Sequence, residues 1–232
     1  MTDPQSQSLP FADHFSDPDK VAAYLNGPRL FMPGLDAVHR MTVVLLSETV
    51  PATGSLLALG AGGGLELKAM SDAQPHWRFA AVDPSGPMLD LARRHVGEAT
   101  DRISFVEGYV DDAPGGPYDG ATCLLTLHFL QPVERRRTLE ELRRRLKPGA
   151  PLVVAHGSFP QEQREAWLDR YAAFAIASGA PPDNVALARA KVAAEVAMLD
   201  PAHDEQLLRQ AGFKRVTMFY AAFTWRGWIA YA

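Results

Sequence analysis

A glycine-rich stretch that follows an apolar segment is the first feature that could do chemistry. Residues 56–59 are all apolar and lead directly into Gly60-Ala61-Gly62-Gly63-Gly64. Glycine lets the backbone turn sharply and lets a ligand approach it closely at the start of a helix. An acid, Asp83, ends the next predicted strand, where a carboxylate can accept both hydroxyls of a ribose. The pattern predicts a nucleoside site formed by Gly60, Ala61, Gly62, Gly64 and Asp83.

The spacing of the glycines narrows the kind of ligand. Dinucleotide-binding turns read G-x-G-x-x-G, which would need a glycine at position 65, where this chain has Leu65. The chain reads G-x-G-x-G instead, which favours a ligand without a pyrophosphate. A purely structural turn in another kind of α/β protein is the alternative.

Two histidines follow predicted strands and could move protons. His128 comes after the fourth predicted strand and His156 after the fifth. Histidine titrates near neutral pH, and doubly wound folds bind ligands at the carboxyl edge of the sheet. Both rings are therefore candidate general bases in catalysis. Packing or capping is the alternative role for each ring.

A sheet is needed to bring these residues together. Strand and helix patterns alternate between residues 55 and 155, which predicts a parallel sheet with helices on both faces. The predicted strands are 55–59, 79–82, 103–106, one within 118–127, and 152–155, and the predicted helices include 86–96 and 133–146. The chain ends with a predicted helix at 204–212 and strands within 216–232. The prediction is an α/β, Rossmann-like, doubly wound seven-stranded sheet with an antiparallel C-terminal hairpin.

Helical patterns outside the sheet are expected to cover the site. The predicted organisation has N-terminal helices in 1–50, a Rossmann-like domain in 51–159 and 201–232, and a helical lid inserted at 160–200. Aromatic residues in the two helical regions predict an apolar pocket for a small organic molecule. The predicted lining is Phe15, Tyr24, Phe31, Trp167, Tyr171 and Phe174.

Composition argues against several other classes of protein. The net charge of −4 is unlike that of a general nucleic-acid binder. The one cysteine, Cys123, lies in an apolar run and is expected to be buried, and no cysteine cluster could bind a metal. No apolar run reaches the roughly 18 residues of a membrane-spanning helix. We expect a cytoplasmic enzyme that is a monomer or a homodimer.

Two arginine triplets lie in the predicted helix at 133–146. Residues 135–137 and 143–145 are all arginine, and glutamates surround them. A solvated helix face with paired charges is the expectation.

The order of these motifs resembles the class I S-adenosylmethionine (AdoMet)-dependent methyltransferases. Besides the glycine turn and Asp83, the resemblance includes Met88-Leu89, Gly108, Lys147-Pro148-Gly149 and Ala211-Gly212-Phe213. It implies AdoMet as the cofactor and in-line transfer of its activated methyl group to a small acceptor, with no metal. The implied cofactor site is Gly60, Ala61, Gly62, Gly64, Asp83, Pro84, Met88, Gly108, Tyr109, Val110, Leu124 and Leu125.

One branch of that superfamily is especially similar: the carboxy-AdoMet synthases, which use AdoMet and prephenate. The stretch from Thr126 to Arg135 resembles this branch, and an alignment without gaps from Gly179 puts the branch's carboxylate-binding arginine near Arg189. A plain surface arginine is the alternative. The candidate substrate residues are Tyr24, Phe31, Trp167, Tyr171 and Arg189.

The chain departs from these relatives at several positions. Leu35, Leu124 and Tyr109 replace a tyrosine, an asparagine and the adenine-side aspartate of the branch, and Ala58 replaces an acid that helps many methyltransferases hold the methionine amine. Asp111 or Asp112 could replace the adenine-side acid, or cap a short helix. Methyl transfer is the main interpretation. Carboxy-AdoMet synthesis and a degenerate AdoMet-binding protein without catalysis stay open.

Overall fold

The predicted sheet is present. A computed structural model describes Val21 and residues 24–232, so Phe15 lies outside the described residues. The strands are β1 (Ser55–Leu59), β2 (Arg78–Asp83), β3 (Ile103–Glu107), β4 (Gly120–Leu124), β5 (Pro151–Gly157), β6 (Lys214–Ala222) and β7 (Trp225–Tyr231). Their order is β3-β2-β1-β4-β5-β7-β6. The first five strands are parallel, and β7 runs antiparallel to β5 and β6. The α/β prediction with an antiparallel C-terminal hairpin is confirmed.

Helices connect and flank these strands. They are α1 (Gly27–Phe31), α2 (Leu35–Ser47), α3 (Leu65–Ala73), α4 (Gly86–Val96), α5 (Pro132–Arg144), α6 (Arg164–Ala177), α7 (Pro182–Glu195) and α8 (Pro201–Gln210). Helices α6 and α7 lie between β5 and α8, where a helical insertion was predicted at 160–200. Within the described residues, no helix is both long and apolar enough to cross a membrane. The same residues contain no group of three or more histidine, cysteine, aspartate or glutamate side chains placed to hold a metal ion.

Local sequence explains where several helices begin. Helix α4 has the predicted bounds because the Ser85 hydroxyl accepts a hydrogen bond from the Met88 amide (3.3 Å) and Pro87 lies in the first turn. Helix α8 begins at Pro201, three residues before the predicted start. Proline is favoured in the first turn because its fixed φ suits a helix and it has no amide hydrogen to leave unpaired.

The inner strands of the sheet are buried on both faces. Along β1, Leu56 and Ala58 face one core layer, while Leu57 and Leu59 face the other. This alternation is the two-residue period of a strand. The first layer includes apolar residues of α2, α3, α6 and α7, and the second includes residues of α5 and α8. Cys123 lies in the second layer and is fully buried, as expected.

The arginines of α5 divide into two groups, which corrects the prediction of a uniformly solvated face. Arg136 and Arg137 are exposed and pair with Glu140 and Glu134. Arg135, by contrast, is completely buried, and so is most of Arg145, just beyond the helix. The prediction fails at these two positions because each guanidinium finds partners on other elements, which the sequence of α5 alone does not reveal.

Candidate functional site

The glycine turn (residues 60–64) follows β1 at its carboxyl end. Strand β1 lies between β2 and β4, where the strand order changes direction and open α/β sheets bind their ligands. Gly60 and Gly62 have φ values of 72° and 49°, a conformation that favours glycine. A Cβ added at Gly60 would lie 2.0 Å from Oγ1 of Thr126, in the segment after β4. The close approach of that segment therefore requires glycine.

Asp83 is the last residue of β2 and is bonded directly to the glycine turn. The amide of Gly62 donates to its Oδ2 (2.8 Å), and the amide of Ser85 donates to its Oδ1 (3.0 Å). Asp83 is buried, which raises the pKa of its carboxyl, while the two amide hydrogen bonds lower it. Each carboxylate oxygen can accept a further hydrogen bond from a ligand. The structure thus brings together the turn and the acid that the sequence paired.

The side chains of Tyr24 and Met88 lie against Gly62 in the glycine turn. A Cβ added at Gly62 would be 3.0 Å from Oη of Tyr24 and 3.5 Å from Cε of Met88. Burial raises the pKa of Tyr24, and the nearby charges of Glu66 and Asp83 raise it further. Met88, which was predicted to bind the cofactor, thus lies beside the glycine turn. Tyr24 was predicted to line the acceptor pocket, and its ring lies at the same turn.

The loop after β3 is tied to Asp83. The amide of Gly108 donates to the Asp83 carbonyl (3.1 Å). This bond holds the start of the loop, Gly108 to Val110, next to the predicted ribose site. The Asp112 carboxylate accepts from the Tyr109 amide (2.8 Å). Asp111 instead lies at the surface and pairs with Arg137 (2.8 Å). Of the two acids considered for the adenine side, Asp112 is the one that shapes this loop.

The end of β4 lies on the side of β1 opposite to β2. Leu124 is buried, and Leu125 has a φ of 57°, which is unusual for a residue with a side chain. The Leu125 amide donates to the Ala155 carbonyl of β5 (2.6 Å), and this bond fixes the turn. Pro84, by contrast, is an exposed neighbour of Asp83.

A buried acid that the sequence analysis did not select lies next to the turn. Glu66 is the second residue of α3 and is only 6% exposed. Its Oε1 accepts a hydrogen bond from Oγ1 of Thr122 on β4 (3.1 Å). Burial raises the pKa of Glu66 to about 8, the Thr122 bond lowers it, and the charge of Asp83 raises it. One signal was available, because Glu66 shares a helix face with the apolar Met70 four residues later.

His128 lies among aromatic rings beneath the end of β5. Its Nδ1 accepts a hydrogen bond from the Gly157 amide (3.3 Å), so the neutral ring carries its proton on Nε2. Burial holds the pKa of His128 well below its usual range, and the positive charges of His156 and Arg135 lower it further. The ring is therefore neutral at pH 7, and the lone pair on Nδ1 already accepts the hydrogen bond from the Gly157 amide.

His156 lies in a second buried polar cluster. Its Nδ1 donates to the Gly157 carbonyl (3.2 Å), and its Nε2 lies 3.8 Å from Oδ1 of Asp204. Burial lowers the pKa of His156, and the Asp204 carboxylate opposes that shift. Asp204 pairs with Arg135, and both side chains are almost completely buried. We name Arg135, His156 and Asp204 the α5–α8 cluster.

The aromatic residues of the helical insertion pack against the N-terminal helices and the hairpin. Phe31 of α1 stacks on Tyr171 of α6 with 5.1 Å between ring centroids, and Tyr171 lies 6.5 Å from Trp225. Trp167 lies beside Phe159 (6.4 Å), and its buried Nε1 has no hydrogen-bond partner among the described residues. Phe31, Trp167 and Tyr171 all pack in or against the same core layer, and we call them the aromatic layer.

Arg189 lies on α7 with its guanidinium turned to α6. It pairs with Glu165 and with Asp169, each at 2.7 Å. Two carboxylates thus already neutralise the group that the resemblance assigns to a substrate carboxylate. The predicted substrate role of Arg189 would require it to exchange these partners.

Part of the chain is similar to a known family of domains. Residues 56–149 match the family model described as a methyltransferase domain. The chain is 29% identical over 228 residues to the carboxy-S-adenosyl-L-methionine synthase of Chromohalobacter salexigens, covering 94% of this chain and 83% of the relative. It is 25% identical over 206 residues to the enzyme of that name from Salmonella typhimurium, covering 86% and 83%.

Solved structures with a similar fold include methyltransferases. Human N-acetylserotonin methyltransferase in complex with SAM superimposes with a TM-score of 0.68 at 18% identity, covering 97% of this chain and 59% of that one. An O-methyltransferase family protein from Burkholderia thailandensis gives 0.66 at 18% identity, covering 95% and 61%. The chain therefore spans less than two thirds of these solved chains. At such identities the likeness establishes the class I fold.

Proposed function

We propose that this chain, which has the class I methyltransferase fold, binds AdoMet at the glycine turn and transfers the methyl group of AdoMet to a small organic acceptor. The observation that carries the proposal is the hydrogen bond between the Gly62 amide and the Asp83 carboxylate at the carboxyl edge of the sheet. It holds a ribose-binding acid against a turn that a ligand can approach closely.

The chemistry asks little of the protein beyond binding and alignment. AdoMet carries its methyl group on a sulfonium, so no covalent nucleophile is needed. The protein has to hold the acceptor in line with the breaking S–C bond and keep water out. The aromatic layer of Phe31, Trp167 and Tyr171 supports an apolar acceptor pocket. A base would be useful for an oxygen or nitrogen acceptor, and His128 and His156 stay the candidates.

Carboxy-AdoMet synthesis is the second candidate because the curated relatives carry that name. It would need a cationic group for the added carboxylate, and Arg189 is the residue that the resemblance supplies. The pairing of Arg189 with Glu165 and Asp169 weighs against this role. The two candidates are separated by incubating the protein with AdoMet and prephenate, since only carboxy-AdoMet synthesis consumes prephenate.

Calorimetric titration of the purified protein with AdoMet, S-adenosylhomocysteine and NADH tests the cofactor. We expect the two AdoMet-type ligands to bind and NADH not to bind. Asp83→Ala should weaken the AdoMet-type ligands about 10- to 100-fold, because it removes charge-assisted hydrogen bonds. Asp90→Ala is the matched control, since Asp90 is an exposed acid on α4.

Each other outcome has a definite meaning. Absence of AdoMet-type binding would contradict the proposal and favour a degenerate, non-catalytic relative. Binding of NADH alone would mean that the glycine turn serves a dinucleotide. The cytoplasmic location and the monomeric or homodimeric state stay predictions, as do the use of 160–200 as a lid and the absence of a nucleic-acid partner.

A further inference from the structure

Glu66 is placed to reach the space beside Ala58, where β1 ends. Ala58 lies directly opposite Thr122 in the parallel pair of β1 and β4, so the two side chains share one face of the sheet. The Glu66 carboxyl is bonded to Thr122 on that face. Helical side chains lean toward the N-terminus of their helix, and α3 begins at the glycine turn. The carboxyl of Glu66 is thus directed back toward the strand end and the turn.

Among the described residues, the surroundings of Glu66 contain acids and neutral groups but no cation. Asp83, Tyr24, Cys123 and Thr122 are the titratable or polar groups that interact with it. Within the described part of the chain, no lysine, arginine or histidine nitrogen lies within 4.0 Å of the Glu66 carboxylate, the distance limit for an ion pair. A buried carboxyl without a cation is costly in its ionised form. A positively charged ligand group would remove that cost.

We propose that Glu66 binds the α-ammonium group of the amino-acid portion of AdoMet, and so supplies from helix α3 a carboxyl that Ala58 does not supply from strand β1. This inference rests on the proposed function, because it requires AdoMet at the glycine turn. Thr122 holds one oxygen of Glu66, which leaves the carboxyl oriented before the ligand arrives. Asp83 and Glu66 then bind opposite ends of the same ligand, the ribose and the ammonium.

The proposal couples binding to proton release. The free protein holds Glu66 largely protonated at pH 7, since burial raises its pKa to about 8. A bound ammonium favours the ionised carboxylate, so binding should release about one proton at pH 7. The affinity for AdoMet should therefore increase as the pH rises from 6 toward 8. Over this range the free protein loses the Glu66 proton, so binding no longer has to remove it.

The test compares two ligands that differ in the amino acid. S-adenosylhomocysteine and 5′-methylthioadenosine both carry the nucleoside and a neutral thioether, but only the first has an ammonium. We expect Glu66→Gln to weaken S-adenosylhomocysteine about 10- to 100-fold and to change methylthioadenosine by less than about twofold. The proton release, measured in buffers of different ionisation enthalpy, should disappear in the same variant. Asp72→Asn is the control, because Asp72 is an exposed acid on the same helix.

A rescue variant separates an ionic role from a structural one. Adding Ala58→Asp to Glu66→Gln returns a carboxyl to the shared face of β1 and β4, and we expect it to restore part of the affinity for S-adenosylhomocysteine. Equal affinities in the wild type and Glu66→Gln would overturn the inference, as would equal weakening of both ligands. If neither ligand bound the wild type, the proposed function itself would fail, and that result is distinguishable because it does not depend on Glu66.

Discussion

The two halves of the sheet's carboxyl edge bury charged groups in opposite ways. At the ends of β1 and β2, Asp83 and Glu66 are buried acids whose partners are backbone amides and a hydroxyl. At the ends of β4 and β5, the α5–α8 cluster buries an acid together with its own cation, Arg135. Among the described residues, the first half has no cation paired with its acids, and a ligand could bring one, whereas the second half is neutralised internally. The comparison indicates a binding site on one side and a structural framework on the other.

The largest expected effect is the loss of stability when the framework's ion pair is broken. Asp204→Asn leaves the Arg135 guanidinium buried beside a neutral group, which should lower the free energy of unfolding by about 3–5 kcal/mol. Glu66→Gln leaves no buried cation without its partner, so it should not lower the free energy of unfolding by more than about 1 kcal/mol without ligand. Urea denaturation of both variants measures the difference. Similar losses in the two variants would contradict the division into framework and site.

A glycine substitution should destabilise the turn next most strongly. Gly60→Ala forces a Cβ to within 2.0 Å of Thr126 Oγ1 at a φ of 72°. We expect the free energy of unfolding to fall by about 2–3 kcal/mol, with loss of AdoMet binding. Gly149→Ala has a similar φ of 77° and no neighbouring atom within 4 Å, so it isolates the cost of φ alone. Equal losses would show that the close approach of Thr126 is unimportant.

The pH dependence of stability should reveal Glu66 in the free protein. Its folded pKa of about 8 lies above the ordinary glutamate value of 4.5, so the native state binds more protons than the unfolded state between these values. Its contribution to stability is present at low pH and is lost as the pH rises toward 8, by at most about 1.4 kcal/mol per pH unit. Glu66→Gln should gain stability relative to the wild type from pH 6 to pH 8 in thermal unfolding. If the difference in stability between Glu66→Gln and the wild type stayed constant with pH, the pKa of Glu66 would lie outside the range from pH 6 to pH 8.

The smallest expected effect concerns His128. Its Nδ1 already accepts from the Gly157 amide, and an asparagine oxygen can take that role. If His128 belongs to the framework, His128→Asn should change the rate of S-adenosylhomocysteine formation by less than about threefold. General-base catalysis is worth about 10²- to 10⁴-fold. A loss of that size with unchanged AdoMet affinity would return His128 to the catalytic machinery.

Local signals made much of the fold predictable. The bounds of β1 and α4 follow from residues within each segment, such as the glycine turn after β1 and the Ser85 cap before α4. The pairing of the turn with Asp83 was predictable because both lie at strand ends. The burial of Glu66 and Arg135 was not, since their partners Thr122 and Asp204 are 56 and 69 residues away. A charged side chain next to apolar residues signals such burial, but only the tertiary structure supplies the partner.

Hydrogen exchange with and without S-adenosylhomocysteine tests the central comparison most directly. The amides of Gly62 and Ser85 already bond to Asp83, and a ligand on the turn should slow the exchange of the backbone around them. We predict added protection in residues 60–66, 83–88 and 108–110 and little change around Arg135 and Asp204. Binding detected by calorimetry without protection of residues 60–66 and 83–88 would contradict the account.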